Sequence, residues 1–152
     1  MTTSHRFHLI GIGGAGMSVV AELLKDRGLE VSGSDQKDSP VLDHLRSVGV
    51  KVFVGHDASH VPAGSVVVVS TAVRETNPEL AYARKKGLTV IHRSQALALA
   101  ASGMRFVAVA GAHGKTTTSG MLSMALRQAG ADPSIAVGSV IPELGSGAHL
   151  GS

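Results

Sequence analysis

Two glycine clusters carry the residue types that phosphate chemistry needs. The first is "GIGGAGM" at residues 11–17, where Gly11, Gly13 and Gly16 stand as G-x-G-x-x-G between an apolar run and an amphipathic one. In that setting the first glycine permits a tight turn. The second lets backbone approach a pyrophosphate, and the third lets helix and strand pack closely. The helix that opens there adds free N–H groups and a positive dipole end. Asp35 lies 19 residues beyond Gly16, at the end of the next predicted strand, where a carboxylate can accept from ribose hydroxyls. This fingerprint suits NAD, FAD or a nucleotide sugar and does not choose among them.

The second cluster is Gly111-Ala112-His113-Gly114-Lys115-Thr116-Thr117. The usual phosphate loop reads G-x-x-x-x-G-K-[ST]. Here Val109 stands five residues before Gly114, so that spacing fails. The physics remains that of a phosphate cradle. Backbone N–H groups from Gly111 onward can converge on β- and γ-phosphates, with Ala112, His113, Gly114 and Thr117 as cradle residues. Lys115 can neutralise the terminal phosphates, and the Thr116 hydroxyl can join a Mg²⁺ shell. Lys115 and His113 are the candidate catalytic groups. The other seven histidines show no metal-ligand spacing and are expected in loops or at the surface.

The elements that must hold these clusters alternate. "RFHLIGI" (6–12) reads as a buried strand and "AGMSVVAELLKDRG" as the helix after it, with Gly28 in a left-handed cap. "EVSGSD" is a second strand, Ser39-Pro40 a helix start and Gly49 its end, and "KVFVG" a third strand. "SVVVVST" is apolar without alternation, as a parallel strand covered on both faces requires. Asn77-Pro78-Glu79 starts a helix that ends near Gly87, "LTVIH" is a fifth strand and "SQALALAAS" a short helix. This order predicts a doubly wound, mostly parallel, Rossmann-like α/β domain over residues 1–101.

The pattern restarts at residues 105–152. "RFVAVAG" (105–111) reads as a new strand, the Gly-Lys-Thr loop follows, and "TTSGMLSMALRQAG" is a helix capped by Gly130, with Met121 and Met124 in its core face. "PSIAVGS" reads as one more strand, and "VIPELGSGAHLGS" as a glycine-rich tail without an element. So small a unit cannot bury a sheet of its own. It is expected to be the truncated start of a P-loop ATP-binding α/β domain; the alternative adds these residues to the first sheet as extra strands.

Composition narrows the ligands. The formal net charge of +3 suits small anions, yet the longest basic run is "RKK", and Trp is absent with Tyr82 the lone tyrosine. Neither a nucleic-acid surface nor base-stacking platforms are expected. Cys is absent, which excludes disulfides and thiolate metal sites. No apolar run approaches the ~18 residues a membrane helix needs, and the first residues lack the pattern of a secretory leader. A cytoplasmic location without membrane insertion is expected.

"GIGGAGMS", "SGSD" (32–35), "STAV" followed by "NPEL" (70–80) and "AGAHGKTTT" (110–118) together resemble the Mur ligases of peptidoglycan synthesis, in order and along the whole chain. Ala112 departs from the resemblance, since such ligases commonly carry Thr there. The resemblance implies UDP-N-acetylmuramate, L-alanine and ATP as ligands, with Mg²⁺. It implies that Gly13, Gly14, Ala15, Gly16 and Met17 hold the pyrophosphate of the UDP-sugar. Asp35, Ser70, Thr71 and Ala72 would line the uridine, and residues 111–117 would hold ATP. It further implies a chain that binds the UDP-sugar and forms no amide by itself. A dinucleotide-binding or nucleotide-sensing module is the competing expectation, and it leaves the second loop idle.

Overall fold

Strand β1 (Arg6–Ile10) is the centre of a five-stranded sheet and is flanked by β2 (Glu30–Asp35) and β4 (Val66–Val69). The computed structural model describes residues 6–151, apart from the side chain of Ser146. The edge strands are β3 (Lys51–Val54), beside β2, and β5 (Val90–His92), beside β4, so the order is β3-β2-β1-β4-β5 and every pairing is parallel. Helices α1 (Ala15–Asp26), α2 (Pro40–Ser47) and α3 (Pro78–Lys85) make crossovers, and α4 (Arg93–Ala100) follows β5. The predicted doubly wound sheet is the one found.

The helix starts follow from their capping chemistry. Ser39 Oγ accepts from Leu42 N–H, with Pro40 at the first helical position of α2. Asn77 Oδ1 accepts from the N–H groups of Glu79 and Leu80 at the start of α3. Gly28, Gly49 and Gly87 all sit at positive φ just past a helix end, a conformation open to glycine at little steric cost.

Strand alternation splits the core. Phe7 and Leu9 of β1 join Val31, Val68 and the apolar stripes of α1, α2 and α4. Ile10 and Val67 join Leu80 and Ala83 of α3 on the opposite face. That second face is polar beneath β1 and β2, where His8, Ser32 and Ser34 are buried together with Glu79 of α3.

Gly33 of β2 shows how tightly α1's side is packed. A Cβ there would lie 2.5 Å from the Leu9 carbonyl oxygen and 2.6 Å from Ile12 Cδ1. The glycine lets the Ile12 side chain lie directly over the sheet as the chain leaves β1.

The second unit departs from expectation in three ways. Residues 105–111 form no strand, because no neighbour among the described residues ladders with them; Phe106 and Val107 are 67 % and 72 % exposed. The glycine-rich tail is not without structure, since β7 (Ser146–His149) pairs antiparallel with β6 (Ile135–Ile141). Their hairpin forms its own two-stranded sheet, rests on α1 and adds Ala148 to the main core. Helix α5 (Lys115–Gln128) packs on β6 through Met124, but Met121 is 69 % exposed because nothing described covers its face. Among the described residues no helix is long and apolar enough to cross a membrane.

Gly33→Ala is expected to lower unfolding stability by about 1–3 kcal/mol, the range of overpacking, because backbone and a β-branched side chain must both give way. Urea denaturation of the two proteins measures it.

Candidate functional site

A cleft of about 760 Å³ lies outside the carboxyl ends of the strands, where ligands bind in open α/β sheets. The turn after β1 forms its floor. Gly11, at φ 77°, makes the tight turn. Gly11 and Ile12 donate to the Ser34 carbonyl at 2.8 and 3.0 Å, and Gly13 donates to Asp35 Oδ2 at 2.9 Å. Gly14 and Met17 donate within the turn, to Gly11 and Gly14. The N–H groups of Ala15 and Gly16 have no partner among the described residues. An anion in the cleft therefore meets these two amides and the dipole end of α1.

The expected residues divide accordingly. Gly14, Ala15, Gly16, Met17, Asp35, Ser70 and Ala72 line the cleft, whereas Gly13 and Thr71 do not. The Gly13 amide is committed to Asp35, and a Cβ on Gly13 would crowd both Asp35 and Leu42. Asp35 also accepts from Gln36 N–H at 2.7 Å. Each carboxylate oxygen has two lone-pair positions, so Asp35 can still accept from a ligand hydroxyl. What crowds Gly16 is the Arg93 guanidinium, which a side chain at residue 16 would strike.

Arg93 and Arg74 also line the cleft, and neither guanidinium has a hydrogen-bond or ion-pair partner among the described residues. Sequence reasoning missed both. Arg93 carried a usable signal, because it directly follows the end of β5 and strand ends feed such clefts. Arg74 lies in the long loop after β4 and carried none. A smaller cavity of about 320 Å³ opens at the opposite end of the sheet, beside Lys25 and Lys51. No residue from a helix N-terminus lines it.

The second loop is built as an anion nest. Gly114 takes φ 76° at the N-cap of α5, and the N–H groups of Lys115, Thr116 and Thr117 have no partner among the described residues. Lys115 Nζ folds over the loop to donate to the carbonyls of Gly111 and Ala112, at 2.5 and 3.3 Å. An ammonium has three donors, so one remains for a phosphate. His113 and Thr116 are exposed, with no described hydrogen bond for either side chain.

The model of the Mur ligase family, catalytic domain, matches residues 6–105. The chain belongs to the Mur ligase family. It is 58 % identical over 136 residues to UDP-N-acetylmuramate–L-alanine ligase of Kineococcus radiotolerans, covering 88 % of this chain and 29 % of the relative. It is 51 % identical to the same enzyme of Streptomyces coelicolor, covering 99 % and 33 %. In structure it resembles UDP-N-acetylmuramate-alanine ligase MurC of Thermotoga maritima, with a TM-score of 0.90 at 30 % identity over 96 % of this chain and 35 % of the other. A UDP-N-acetylmuramate:L-alanyl-γ-D-glutamyl-meso-diaminopimelate ligase from Neisseria meningitides gives 0.87 at 35 % identity, over 95 % and 46 %. The chain thus spans about a third of the length of the curated relatives it matches.

Behind the cleft of this Mur ligase chain lies a buried carboxylate that sequence reasoning also missed. Glu79 is 0 % exposed. Ser34 Oγ donates to its Oε2 at 2.5 Å, and the Asp57 amide and His60 Nδ1 reach its Oε1 at 3.3 and 3.2 Å. His8, itself 0 % exposed, brings Nε2 to 3.5 Å from Oε2 without hydrogen-bond alignment. The expectation that the other histidines lie in loops or at the surface fails for His8, which sits in the central strand. His60 also stacks on Phe53, with ring centroids 4.2 Å apart. Burial pushes the Glu79 carboxyl up, but His8 and Ser34, with the Asp57 amide, outweigh it and hold the group below the usual carboxylate range.

The sign of the linkage follows. As pH falls, the unfolded Glu79 takes its proton first, so the native state loses stability on acidification through the lowered folded pKa. Glu79→Gln is expected to cost about 1–2 kcal/mol near neutral pH, the scale on which hydrogen bonds to a charged group exceed those to a neutral one. The wild-type advantage should fade as pH drops from about 5 to about 3. Denaturation curves of both proteins across that range measure it.

Proposed function

We propose that this chain is the UDP-sugar-binding part, with the phosphate loop, of an ATP-dependent ligase that joins L-alanine to UDP-N-acetylmuramate in cytoplasmic peptidoglycan synthesis. The observation that carries the reading is the cleft itself: two free helix amides, at Ala15 and Gly16, stand beside two unpaired arginines. That arrangement suits a pyrophosphate. Relatives 50–58 % identical are named for alanine, which favours alanine over a whole peptide as the amine donor.

In this reading Ala15 and Gly16 hold the pyrophosphate, Arg93 and Arg74 neutralise it, and Asp35 accepts from a hydroxyl of the nucleoside. The loop at residues 111–117 fits the triphosphate of ATP, because its free amides and the spare donor of Lys115 converge on one anion position. His113 stands in the same loop as a further phosphate contact. For Mg²⁺ the donor set is thinner. Thr116 offers a hydroxyl, and among the described residues no group of three His, Asp or Glu gathers to hold a metal. The ion's other ligands would be phosphate oxygens, water and carboxylates outside that set.

The chemistry is carboxylate activation. An oxygen of the lactyl carboxylate attacks the γ-phosphorus, the bond to the bridging oxygen breaks, and ADP leaves. The alanine amine then attacks the acyl carbon, phosphate departs, and the amine loses a proton to give the amide. Lys115 would stabilise the charge on the transferring phosphoryl group, a matter of positioning and electrostatics.

Isothermal titration tests the reading. UDP-N-acetylmuramate should bind and NADH should not; tight NADH binding with no response to the UDP-sugar would refute it. Arg93→Ala should weaken UDP-sugar binding at least about tenfold, the scale of one charge-assisted contact. Lys115→Ala should leave UDP-sugar binding unchanged while lowering the affinity for ATP.

A further inference from the structure

His56 lines the cleft beside the buried Glu79 layer. Its Nδ1 lies 2.9 Å from Ser34 Oγ and 3.6 Å from Glu79 Oε2. Hydrogen bookkeeping along this relay decides which ring nitrogen carries the proton. Glu79 is ionised at neutral pH, so both its oxygens only accept. Ser34 has one hydroxyl hydrogen, and it goes to Glu79. The same oxygen can then only accept from His56, so Nδ1 must carry the hydrogen. In the neutral ring this leaves Nε2 as a lone pair, with no partner among the described residues.

We propose that Glu79 is a positioning residue for the nucleotide cleft: through Ser34 it fixes the proton of His56 on Nδ1, so that Nε2 faces the ligand as a hydrogen-bond acceptor. The proposal rests on the reading of the cleft as a UDP-sugar site and names the chemistry it selects, an N–H or O–H donor of the nucleoside. A uracil ring presents such a donor at N3, where cytosine presents an acceptor. A ribose hydroxyl is the other source. A site built to accept from a ligand donor discriminates against analogues lacking that donor, because its own polar atom is then left unpaired.

Glu79→Gln gives the proposal a sharp consequence. The Oε1 position receives two donors, Asp57 N–H and His60 Nδ1, so the amide oxygen settles there. The NH₂ group then faces Ser34 and donates to it. Ser34 turns its hydrogen to His56 Nδ1, and the proton of His56 moves to Nε2. The acceptor facing the cleft becomes a donor.

Long-range proton–nitrogen correlation spectra of the ¹⁵N-histidine-labelled chain at about pH 8, above the ordinary imidazole range, read the tautomer directly. The wild type should show His56 protonated at Nδ1, Glu79→Gln should show it protonated at Nε2, and Ser34→Ala should release it from Glu79. An Nε2-protonated His56 in the wild type overturns the proposal. So does a tautomer that neither variant moves, provided at least one variant retains the native spectrum elsewhere. A merely structural role for Glu79 would leave the tautomer in place. This measurement needs no ligand, so it stands apart from the UDP-sugar reading.

Binding then separates the two donor sources. UDP should bind about tenfold more tightly than 3-methyluridine diphosphate if the uracil imide is the donor, or than 2′-deoxy-UDP if a ribose hydroxyl is. His56→Ala should abolish that difference. Equal affinity of all three ligands would overturn the assigned acceptor role, whereas failure of UDP itself to bind would overturn the reading of the cleft.

Discussion

The turn after β1 is stitched to the end of β2, and the site depends on that seam. Ser34 offers its carbonyl to two consecutive amides, Gly11 and Ile12, and Asp35 offers a carboxylate oxygen to the third, Gly13. Three amides of the glycine turn are thereby spent on the protein itself. Gly14 turns back to the Gly11 carbonyl, and the donors after it, Ala15 and Gly16, fall at the first turn of α1, where a helix has no internal partner to give them. The seam thus decides which amides an anion can reach. It also explains why β2 carries a glycine opposite the turn. Ile12 must lie flat over Gly33 for the chain to meet Ser34 and Asp35 at hydrogen-bonding distance.

The same two strands present a different surface on their other side. Alternation sends Ser32 and Ser34 away from α1, beside His8 and beneath Glu79. Burying a carboxylate is costly unless hydrogen bonds or opposite charge surround it, and Ser34, the Asp57 amide and His60 supply hydrogen bonds here. An apolar layer of similar volume would pack at least as well. What the polar layer adds is direction: a chain of single donors and single acceptors has one consistent arrangement. It runs from the core of the sheet to His56 at the cleft wall. The carboxylate enters this layer from the first turn of α3, where the helix dipole favours a negative charge and the Asn77 cap fixes the backbone.

The sheet was legible in the sequence because its signals are local. Caps such as Ser39-Pro40 and Asn77-Pro78, glycines just past helix ends and unbroken apolar strands each act within a few residues. The glycine turn and Asp35 were legible for the same reason. The Glu79 layer was not, since residues 8, 34, 56, 60 and 79 meet only through strand order, and a histidine in an apolar strand gives no sign of its partner. Arg74 was hidden by loop geometry. The second unit misled in the opposite direction. Residues 105–111 have the composition of a strand, but a strand requires a neighbour, and composition cannot supply one. Strand β6 was legible in "PSIAVGS", but β7 was missed because the glycines at 145 and 147 read as a loop. Gly147 is instead required by close backbone approach to Val137 and Ser139.

Helix α1 relates the two glycine turns. Its first residues supply the free amides of the cleft, and its body supports the β6–β7 hairpin, with Ala148 in the shared core. The hairpin in turn carries α5, whose first residues close the second nest. Under the proposed function, a reaction between two bound phosphorylated ligands would require reacting atoms within about 3–3.5 Å, and the two cradles would need a common frame. A hairpin seated on α1 provides one, because the position of the second nest is set by packing against the same helix that defines the first. The Arg27 guanidinium reinforces the frame at the far end of α1, donating to the Ser102 carbonyl at 2.8 Å, just where the chain leaves the first sheet for the second loop. The spacing of the two cradles is therefore set by side-chain packing along one helix and not by the length of the connecting chain.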